Sequence, residues 1–435
     1  MYIKRHKLKL NRMLFFSVHI TAILLVLLFG VYENCFKFYL TYLIFLLTAS
    51  VFDYFKQNSN LKFYFNSYVI GSLTLIFMFR LDHGTPWYSV DDKMFYEVAA
   101  FDNVFDVNLL KIRWWGYFFL LKQFYLLVRE FIDSGVHFYH GILLNTFISS
   151  FIPYLYKKHF RDIFPTKTVD KLLIFLIFMP QFVVYNSTYL RDSIIMLLFA
   201  SLIYFLNSKR HLEIRKIGYS LIILIFAYFI RPGSSFFLLT YIFIHFYSSK
   251  IKLYLLLLLV ILFIVDYYYD FQFRDLESIS NTYTELTSKE ASVNSLGAKL
   301  LDSNNLLLFP IKFLYVLFSP IPPPILFKLS LQSIVFSVGL LIKYFFILIY
   351  LIDGIKNFFS NNSDFRKNFI YICIITGAIL FSSRDPRHLN YLLPLIFVKS
   401  IYLFDYKVNL IKQSILYLIL LGPLIIGVYF ILKMD

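Results

Sequence analysis

The chain has 435 residues, of which 59% are hydrophobic and only 16% are charged, and its formal net charge is +16. Its mean hydropathy of +0.68 and its recurring apolar runs exclude a soluble domain with a single membrane anchor. They predict one integral-membrane domain, residues 1–435, folded as an all-α polytopic helical bundle. The excess of Lys and Arg then indicates membrane topology rather than a nucleic-acid partner, and we expect no such partner.

Apolar length places about thirteen transmembrane spans along the chain. The predicted spans are residues 13–32, 36–52, 63–79, 136–156, 172–187, 191–206, 217–230, 234–248, 252–268, 331–351, 368–382, 388–404 and 414–432. With a cytoplasmic N-terminus, every second connection is lysine-rich, in agreement with the positive-inside rule. This register predicts a multi-pass protein of the bacterial inner membrane with an extracytoplasmic C-terminus.

Two further apolar stretches do not fit this register as spans. Residues 111–132 carry five charged side chains and a pair of tryptophans, which is typical of an interfacial helix. Residues 306–327 are interrupted by prolines, which favours an interfacial or re-entrant segment. The register places both stretches in long extracytoplasmic loops, residues 80–135 and 270–330.

Residues 80–110, the first part of the earlier loop, concentrate acidic side chains in a chain that has few of them. They are Asp82, Asp91, Asp92, Glu97, Asp102 and Asp106. One interpretation is a solvated loop without further function. The other is a catalytic carboxylate at the membrane surface.

If residues 90–101 are helical, Asp92, Tyr96 and Ala100 lie on one face, where the small Ala100 would let that face pack close to the membrane. Asp91 then points about 100° away from that face. We therefore predict that Asp92 is a general base and that Tyr96 helps to hold it. Asp91 remains the alternative catalytic residue.

Arginines mark the extracytoplasmic ends of several predicted spans, where the positive-inside rule disfavours cations. These positions and their polar neighbours are Arg191, Asp192, Arg231, Arg384, Arg387 and His388. The guanidinium group binds phosphate through a planar fork of donors, so a shared phosphate-binding site is one interpretation. The other is that each arginine pairs with an adjacent aspartate at the interface.

A metal or cofactor has little support in the sequence. Asp82, Asp91 and Asp92 offer oxygen ligands to a divalent ion, but adjacent acids are common in loops, and we expect no metal or other cofactor. The chain also lacks the P-loop, GxGxxG, GxSxG and HExxH motifs, which excludes the ATPase, dinucleotide-dependent and zincin classes.

These features resemble the GT-C superfamily of membrane glycosyltransferases and the related O-antigen or oligosaccharide repeat-unit polymerases. The matching motifs are Asp92-Lys-Met-Phe-Tyr96 with Ala100, Leu190-Arg-Asp-Ser193, Arg231-Pro232, and Arg384-Asp-Pro-Arg-His388 leading into Tyr391 and Pro394. The resemblance implies an extracytoplasmic catalytic acid and a sugar donor carried on polyprenyl phosphate or diphosphate. The chain differs from the family in having two spans before the one that leads into the acidic loop.

We therefore predict a transferase that joins sugars or oligosaccharide repeat units in O-antigen, capsule or other surface polysaccharide synthesis. Its expected partners are the polyprenyl-linked sugar, membrane lipids and other polysaccharide-assembly proteins. The alternative is a lipid-linked oligosaccharide flippase or other transporter, for which internal repeats and helices broken at the midplane would be typical. A membrane assembly protein is a third possibility, and it predicts that substitutions of the outer-face Arg and Asp residues are silent.

Overall fold

The computed structural model describes a protein in which every regular element is a helix and no strand occurs among the described residues. The described residues are 2–57, 59–86, 90–101, 115–132, 137–189, 191–207, 213–245, 309–318, 330–357, 363–381, 386–407 and 411–416. The chain divides into two compact units. The first unit is Met1–Ile163 with Val169–Pro232, and the second is Phe164–Thr168 with Gly233–Asp435. The single integral-membrane domain stays a prediction.

Eleven helices are described between the N-terminus and His245. They are α1 (Tyr2–Tyr32), α2 (Phe36–Lys56), α3 (Leu61–His83), α4 (Val90–Phe101), α5 (Trp115–Ile132), α6 (Phe138–Phe160), α7 (Thr166–Phe178), α8 (Pro180–Ser187), α9 (Asp192–Asn207), α10 (Glu213–Ile230) and α11 (Pro232–His245). The predicted helix at residues 90–101 is confirmed as α4. The predicted segment 111–132 contains α5.

Besides a helical segment at residues 411–416, four further helices and one short 3-10 helix are described after residue 308. They are α12 (Phe309–Phe318), α13 (Leu331–Asn357), α14 (Ser363–Phe381), the 3-10 helix Pro386–Leu389, and α15 (Leu393–Tyr406). Helix α12 falls within the predicted segment 306–327. The polar loop 270–305 and the predicted span 252–268 lie outside the described residues.

By length and composition, four described helices can cross a membrane. They are Met13–Tyr32, Phe36–Lys56, Leu61–Asp82 and Leu331–Asn357, and shorter apolar helices occur at Asp192–Asn207, Gly233–His245 and Phe309–Phe318. Large apolar side chains on α1 and α2, such as Phe16 and Leu47, are exposed, as expected for lipid-facing surfaces. An all-helical membrane protein is therefore supported, while the count of thirteen spans stays a prediction.

The predicted span 172–187 is divided into two helices. Helix α7 ends at Phe178, and Pro180 occupies the first position of α8. Proline lacks the backbone N–H that a continuous helix would use here and its ring obstructs the preceding turn, so the helix breaks at Met179. The residues before α9 consequently form a short helix and a turn instead of the end of one long span.

Side-chain contacts near the ends of neighbouring helices show the relative directions of the helices in the first unit. Arg80, at the end of α3, binds Glu33, just after α1, at 2.6 Å. At the opposite ends of these helices, the rings of Phe15 and Phe63 lie 4.6 Å apart. Helices α1 and α3 therefore run parallel, as the alternating register of spans predicts.

Helices α6, α9 and α10 follow the same register. The Lys158 ammonium group, near the end of α6, lies 6.0 Å from the Tyr204 ring near the end of α9, so these two helices run parallel. The rings of Phe205 and Tyr219 stack at 4.5 Å, joining the end of α9 to the start of α10. Helix α10 therefore returns towards the start of α9. Arg231, just after α10, consequently lies near Asp192, at the start of α9.

The second unit is described by its own contacts. Lys407, just after α15, binds the buried Asp353 of α13 at 2.9 Å. The Ser400 hydroxyl donates to the carbonyl oxygen of Phe346, and the Tyr371 hydroxyl donates to that of Phe237. Helix α13 thus packs along α15, while α14 contacts α11.

Candidate functional site

Helix α4 has a buried face and an exposed face, and Asp92 lies on the buried one. The residue is only 1% exposed, and Phe95 and Ala99 share its face. Lys93 and Glu97 lie on the opposite face, where they form a solvent-exposed ion pair at 3.6 Å. Burying a carboxylate is costly unless charged or polar groups compensate for the lost water. The buried Asp92, unlike the exposed Glu97 of the same helix, therefore requires charged or polar neighbours, and these neighbours define the candidate site.

Arg191 reaches this buried face of α4. The residue is 6% exposed, and its guanidinium carbon lies 5.6 Å from the centre of the Phe95 ring. That distance is typical of a cation–π interaction. Because Phe95 is one helical turn from Asp92, the fold brings together an acid and an arginine that are about a hundred residues apart in sequence.

The pKa of the Tyr117 phenol, in the first turn of α5, responds to charged groups of two other segments. Burial is the main reason why the pKa of its phenol is raised, and the hydrogen bond that it accepts from the Asn145 amide at 3.1 Å acts in the opposite direction. The carboxylates of Asp92 and Asp192 raise this pKa further, and the guanidinium group of Arg191 lowers it. All three charged groups are therefore within electrostatic range of one phenol.

Asp192 connects this cluster to a second arginine. It is the first residue of α9, and its carboxylate Oδ1 lies 3.7 Å from Nη1 of Arg231, which directly follows α10. Both side chains are largely buried. Asp192 therefore pairs with Arg231, and it adjoins Arg191, which lies over Phe95 of the helix that contains Asp92. We call Asp92, Arg191, Asp192 and Arg231 the charged cluster.

Uncharged polar groups complete the surroundings of the charged cluster. The Asn145 amide also donates to the carbonyl oxygen of Thr188, in the turn before α9. The other polar atom of the Asn145 side chain, Oδ1, and the Ser193 hydroxyl are fully buried and have no hydrogen-bond partner among the described residues. Buried polar atoms nearly always make hydrogen bonds, so these two are candidates to contact a polar ligand.

Tyr96 packs among aromatic rings. Its ring lies edge-on to Tyr125, Phe138 and Tyr189, with centroids 6.0 to 6.2 Å apart. Burial raises the pKa of its phenol, so the group stays protonated at neutral pH and is suited to donate a hydrogen bond rather than to accept a proton. The role of holding Asp92 stays a prediction. Asp91 lies in the same helix, and its side chain is outside the described part of the structure.

Helix α5 packs against α4, and one of its side chains caps the C-terminal end of that helix. Arg129 donates a hydrogen bond from Nη2 to the carbonyl oxygen of Ala100, one of the carbonyls left free at the end of α4. Ala100 is itself buried in the protein core, which corrects the expectation that it lies against the membrane. Lys122 is buried too, whereas Phe131 is exposed, so only part of α5 is available to an interface.

The remaining predicted site residues belong to the second unit. Arg384 lies outside the described residues. Arg387 and His388 lie in the 3-10 helix Pro386–Leu389, where His388 is buried and the side chain of Arg387 is not among those described. A site shared by these residues with Arg191 stays a prediction.

Tyr117 and Asn145 are site residues that sequence reasoning missed. Asn145 lies in a predicted span, and a polar side chain at such a position is costly and often functional, which is a signal that was available. Tyr117 gives no comparable signal because aromatic residues make up 21% of the chain.

The described residues contain no group of three or more His, Cys, Asp or Glu side chains that could hold a metal ion. The chain matches no protein-family model, and no curated protein or solved structure is significantly similar to it. The resemblance to membrane glycosyltransferases therefore stays a prediction.

Proposed function

We propose that this protein is a membrane glycosyltransferase or oligosaccharide repeat-unit polymerase that uses polyprenyl-(di)phosphate-linked sugars. The observation that carries the proposal is that Arg191 lies over Phe95, on the same face of α4 as the buried Asp92. A carboxylate and a guanidinium group brought together from distant segments, in surroundings shielded from water, are what transfer from a phosphate carrier requires.

Each group has a role in the proposed reaction. Asp92 accepts the proton of an acceptor hydroxyl, and the oxygen of that hydroxyl forms a bond to the anomeric carbon of the donor sugar. The bond between that carbon and the phosphate oxygen breaks, and its electron pair leaves with the polyprenyl phosphate or diphosphate. Arg191 and Arg231 stabilise the departing negative charge through charge-assisted hydrogen bonds.

The proposal includes the topology that the sequence predicts. In it, thirteen spans cross the bacterial inner membrane, the N-terminus is cytoplasmic, and the charged cluster faces the extracytoplasmic side. The helix directions within the first unit support this arrangement, since the starts of α6 and α9 lie at the same level as the end of α10. The product then enters O-antigen, capsule or another surface polysaccharide.

Replacing Asp92 tests the catalytic role. Asp92→Asn keeps the shape of the side chain but removes the base, so we expect product formation to fall by about 100- to 10,000-fold. The measurement is surface polysaccharide in a strain that lacks the chromosomal gene and carries the variant at wild-type protein level. Glu97→Gln is the matched control, because it removes an exposed carboxylate from the same helix, and Asp91→Asn tests the neighbouring acid.

The outcomes separate the candidate functions. Normal polysaccharide from an Asp91→Asn/Asp92→Asn double variant would refute catalysis by this helix. Loss of polysaccharide with lipid-linked units accumulating on the cytoplasmic side would favour the flippase. Accumulation of those units on the extracytoplasmic side is the result that the transferase predicts.

A further inference from the structure

Asp192 occupies an unusual place in the charged cluster, because it lies where an anionic ligand would be expected to bind. It is the first residue of α9, so its carboxylate lies in the positive field of the helix N-terminus. It follows Arg191 directly and lies beside Arg231. Two arginines and a helix start are the surroundings that proteins use to bind phosphate oxygens.

The contact between Asp192 and Arg231 is close but not tight. The distance of 3.7 Å between carboxylate Oδ1 and Nη1 compares with about 2.7 to 2.9 Å for a charge-assisted hydrogen bond. Their side chains are 11% and 16% exposed, so the two charges attract each other with little screening by water. Such a pair holds the arginine in place and can still exchange its carboxylate for another anion.

The balance of charge leads to the same conclusion. With both aspartates ionised, the two aspartates and two arginines of the charged cluster carry no net charge. A phosphate or diphosphate entering beside an intact pair would add uncompensated negative charge to a buried site. The Ser193 hydroxyl, which has no partner among the described residues, is a donor at the same helix start for an incoming oxygen.

We propose that Asp192 is an internal competitor of the phosphate group, which the ligand displaces from Arg231 and which returns to Arg231 when the ligand leaves. The inference rests on the proposed function and adds the way in which its phosphate site is regulated. Asp192 then weakens binding of the donor and, equally, of the polyprenyl (di)phosphate product. A carboxylate that returns to the arginine promotes release of that product.

Binding to the purified full-length protein in nanodiscs tests the inference. The probes are farnesyl diphosphate, which has a lipid chain, and inorganic diphosphate, which has none, with farnesol as the uncharged reference. We expect Asp192→Asn to bind farnesyl diphosphate about tenfold more tightly than the wild type, because the competing charge is gone. Asp162→Asn, which removes an exposed carboxylate of the same unit, should leave the dissociation constant unchanged.

A double-mutant cycle shows whether the gain depends on Arg231. Arg231→Gln should weaken binding, and in that background Asp192→Asn should no longer strengthen it. A gain for both diphosphate probes assigns the effect to the phosphate group itself, and a gain for farnesyl diphosphate alone assigns it to a lipid headgroup. Asp192→Ser removes the charge while keeping a capping oxygen, and it replaces Asp192→Asn if that variant does not fold.

The inference is overturned if the folded Asp192 variants bind farnesyl diphosphate no more tightly than the wild type, or if they gain equally without Arg231. The proposed function has a separate test in the Asp92→Asn polysaccharide assay. Tighter binding by Asp192→Asn together with normal polysaccharide from the Asp91→Asn/Asp92→Asn double variant would keep the regulated anion site and reject the transferase. Loss of polysaccharide from Asp92→Asn, together with unchanged farnesyl diphosphate binding by the Asp192 variants, would keep the transferase and reject the regulated anion site.

Discussion

The hydroxyl group of Tyr189 lies against Gly141, and no space remains between them for a side chain on the glycine. This hydroxyl donates to the carbonyl oxygen of Phe138, which leaves the hydroxyl of Tyr125 to donate to Tyr189. Tyr189 therefore ties the turn before α9 to α5 and α6. Because Arg191 follows two residues later, the same contacts fix the position of its backbone.

Gly141→Ala should disturb this turn. The added Cβ would overlap the Tyr189 hydroxyl, and we expect a loss of stability of about 1 to 3 kcal/mol, seen as a lower midpoint of thermal unfolding. Gly218→Ala is the matched control, because nothing lies within 4 Å of a Cβ at that position of α10. That control should be neutral or stabilising, since alanine favours a helix. Equal behaviour of the two variants would contradict the packing described for Tyr189.

Arg191→Lys and Arg231→Lys should both impair activity although they keep the positive charge. Lysine lacks the planar fork that binds a phosphate through two hydrogen bonds, and we expect about a 10- to 100-fold loss of surface polysaccharide at matched protein levels. Arg384→Lys and Arg387→Lys test the same role in the second unit. Arg161→Lys, at an exposed position, is the control. Normal polysaccharide from the lysine variants of Arg191, Arg231, Arg384 and Arg387 alike would exclude a phosphate site shared by these arginines.

The stability of the first unit should fall in alkaline solution. Burial raises the pKa of Tyr117, whereas in the unfolded chain a tyrosine ionises near pH 10. Above about pH 10 the unfolded state therefore loses a proton that the folded state keeps, and unfolding becomes easier by about 1.4 kcal/mol per pH unit for this residue. Tyr117→Phe should reduce that slope in thermal unfolding between pH 9 and 11. A uniform destabilisation with an unchanged slope would contradict the prediction.

Cysteine labelling checks on which side of the membrane the charged cluster lies. In a background without Cys35 and Cys373, we expect Thr85→Cys to react from outside the cell with a membrane-impermeant maleimide. Thr166→Cys should react only after the membrane is permeabilised. Both positions are exposed, so a lack of reaction reflects sidedness rather than burial. Labelling of position 166 in intact cells would reject the lysine-based register.

Local periodicity and composition were sufficient to predict several parts of the fold. The spacing of Asp92, Tyr96 and Ala100 predicts one face of a helix, and the helix Val90–Phe101 is present with that face directed inwards. Helix formation depends on contacts within one or two turns, so the residues that decide it are adjacent in the sequence. Pro180 breaks the helix between α7 and α8, which is also a local effect, although the length of the apolar run alone predicted one continuous span.

The neighbours of each helix were decided by tertiary packing. Asp192 adjoins Arg191 in sequence, yet its carboxylate pairs with Arg231, which follows α10, and Arg191 lies over Phe95 of α4. The sequence by itself determined an all-helical chain with apolar spans, an acidic helix and arginines at helix ends. Which acid meets which arginine depends on how the side chains of different helices fill space together, and that information is spread over the whole unit rather than held in any one segment.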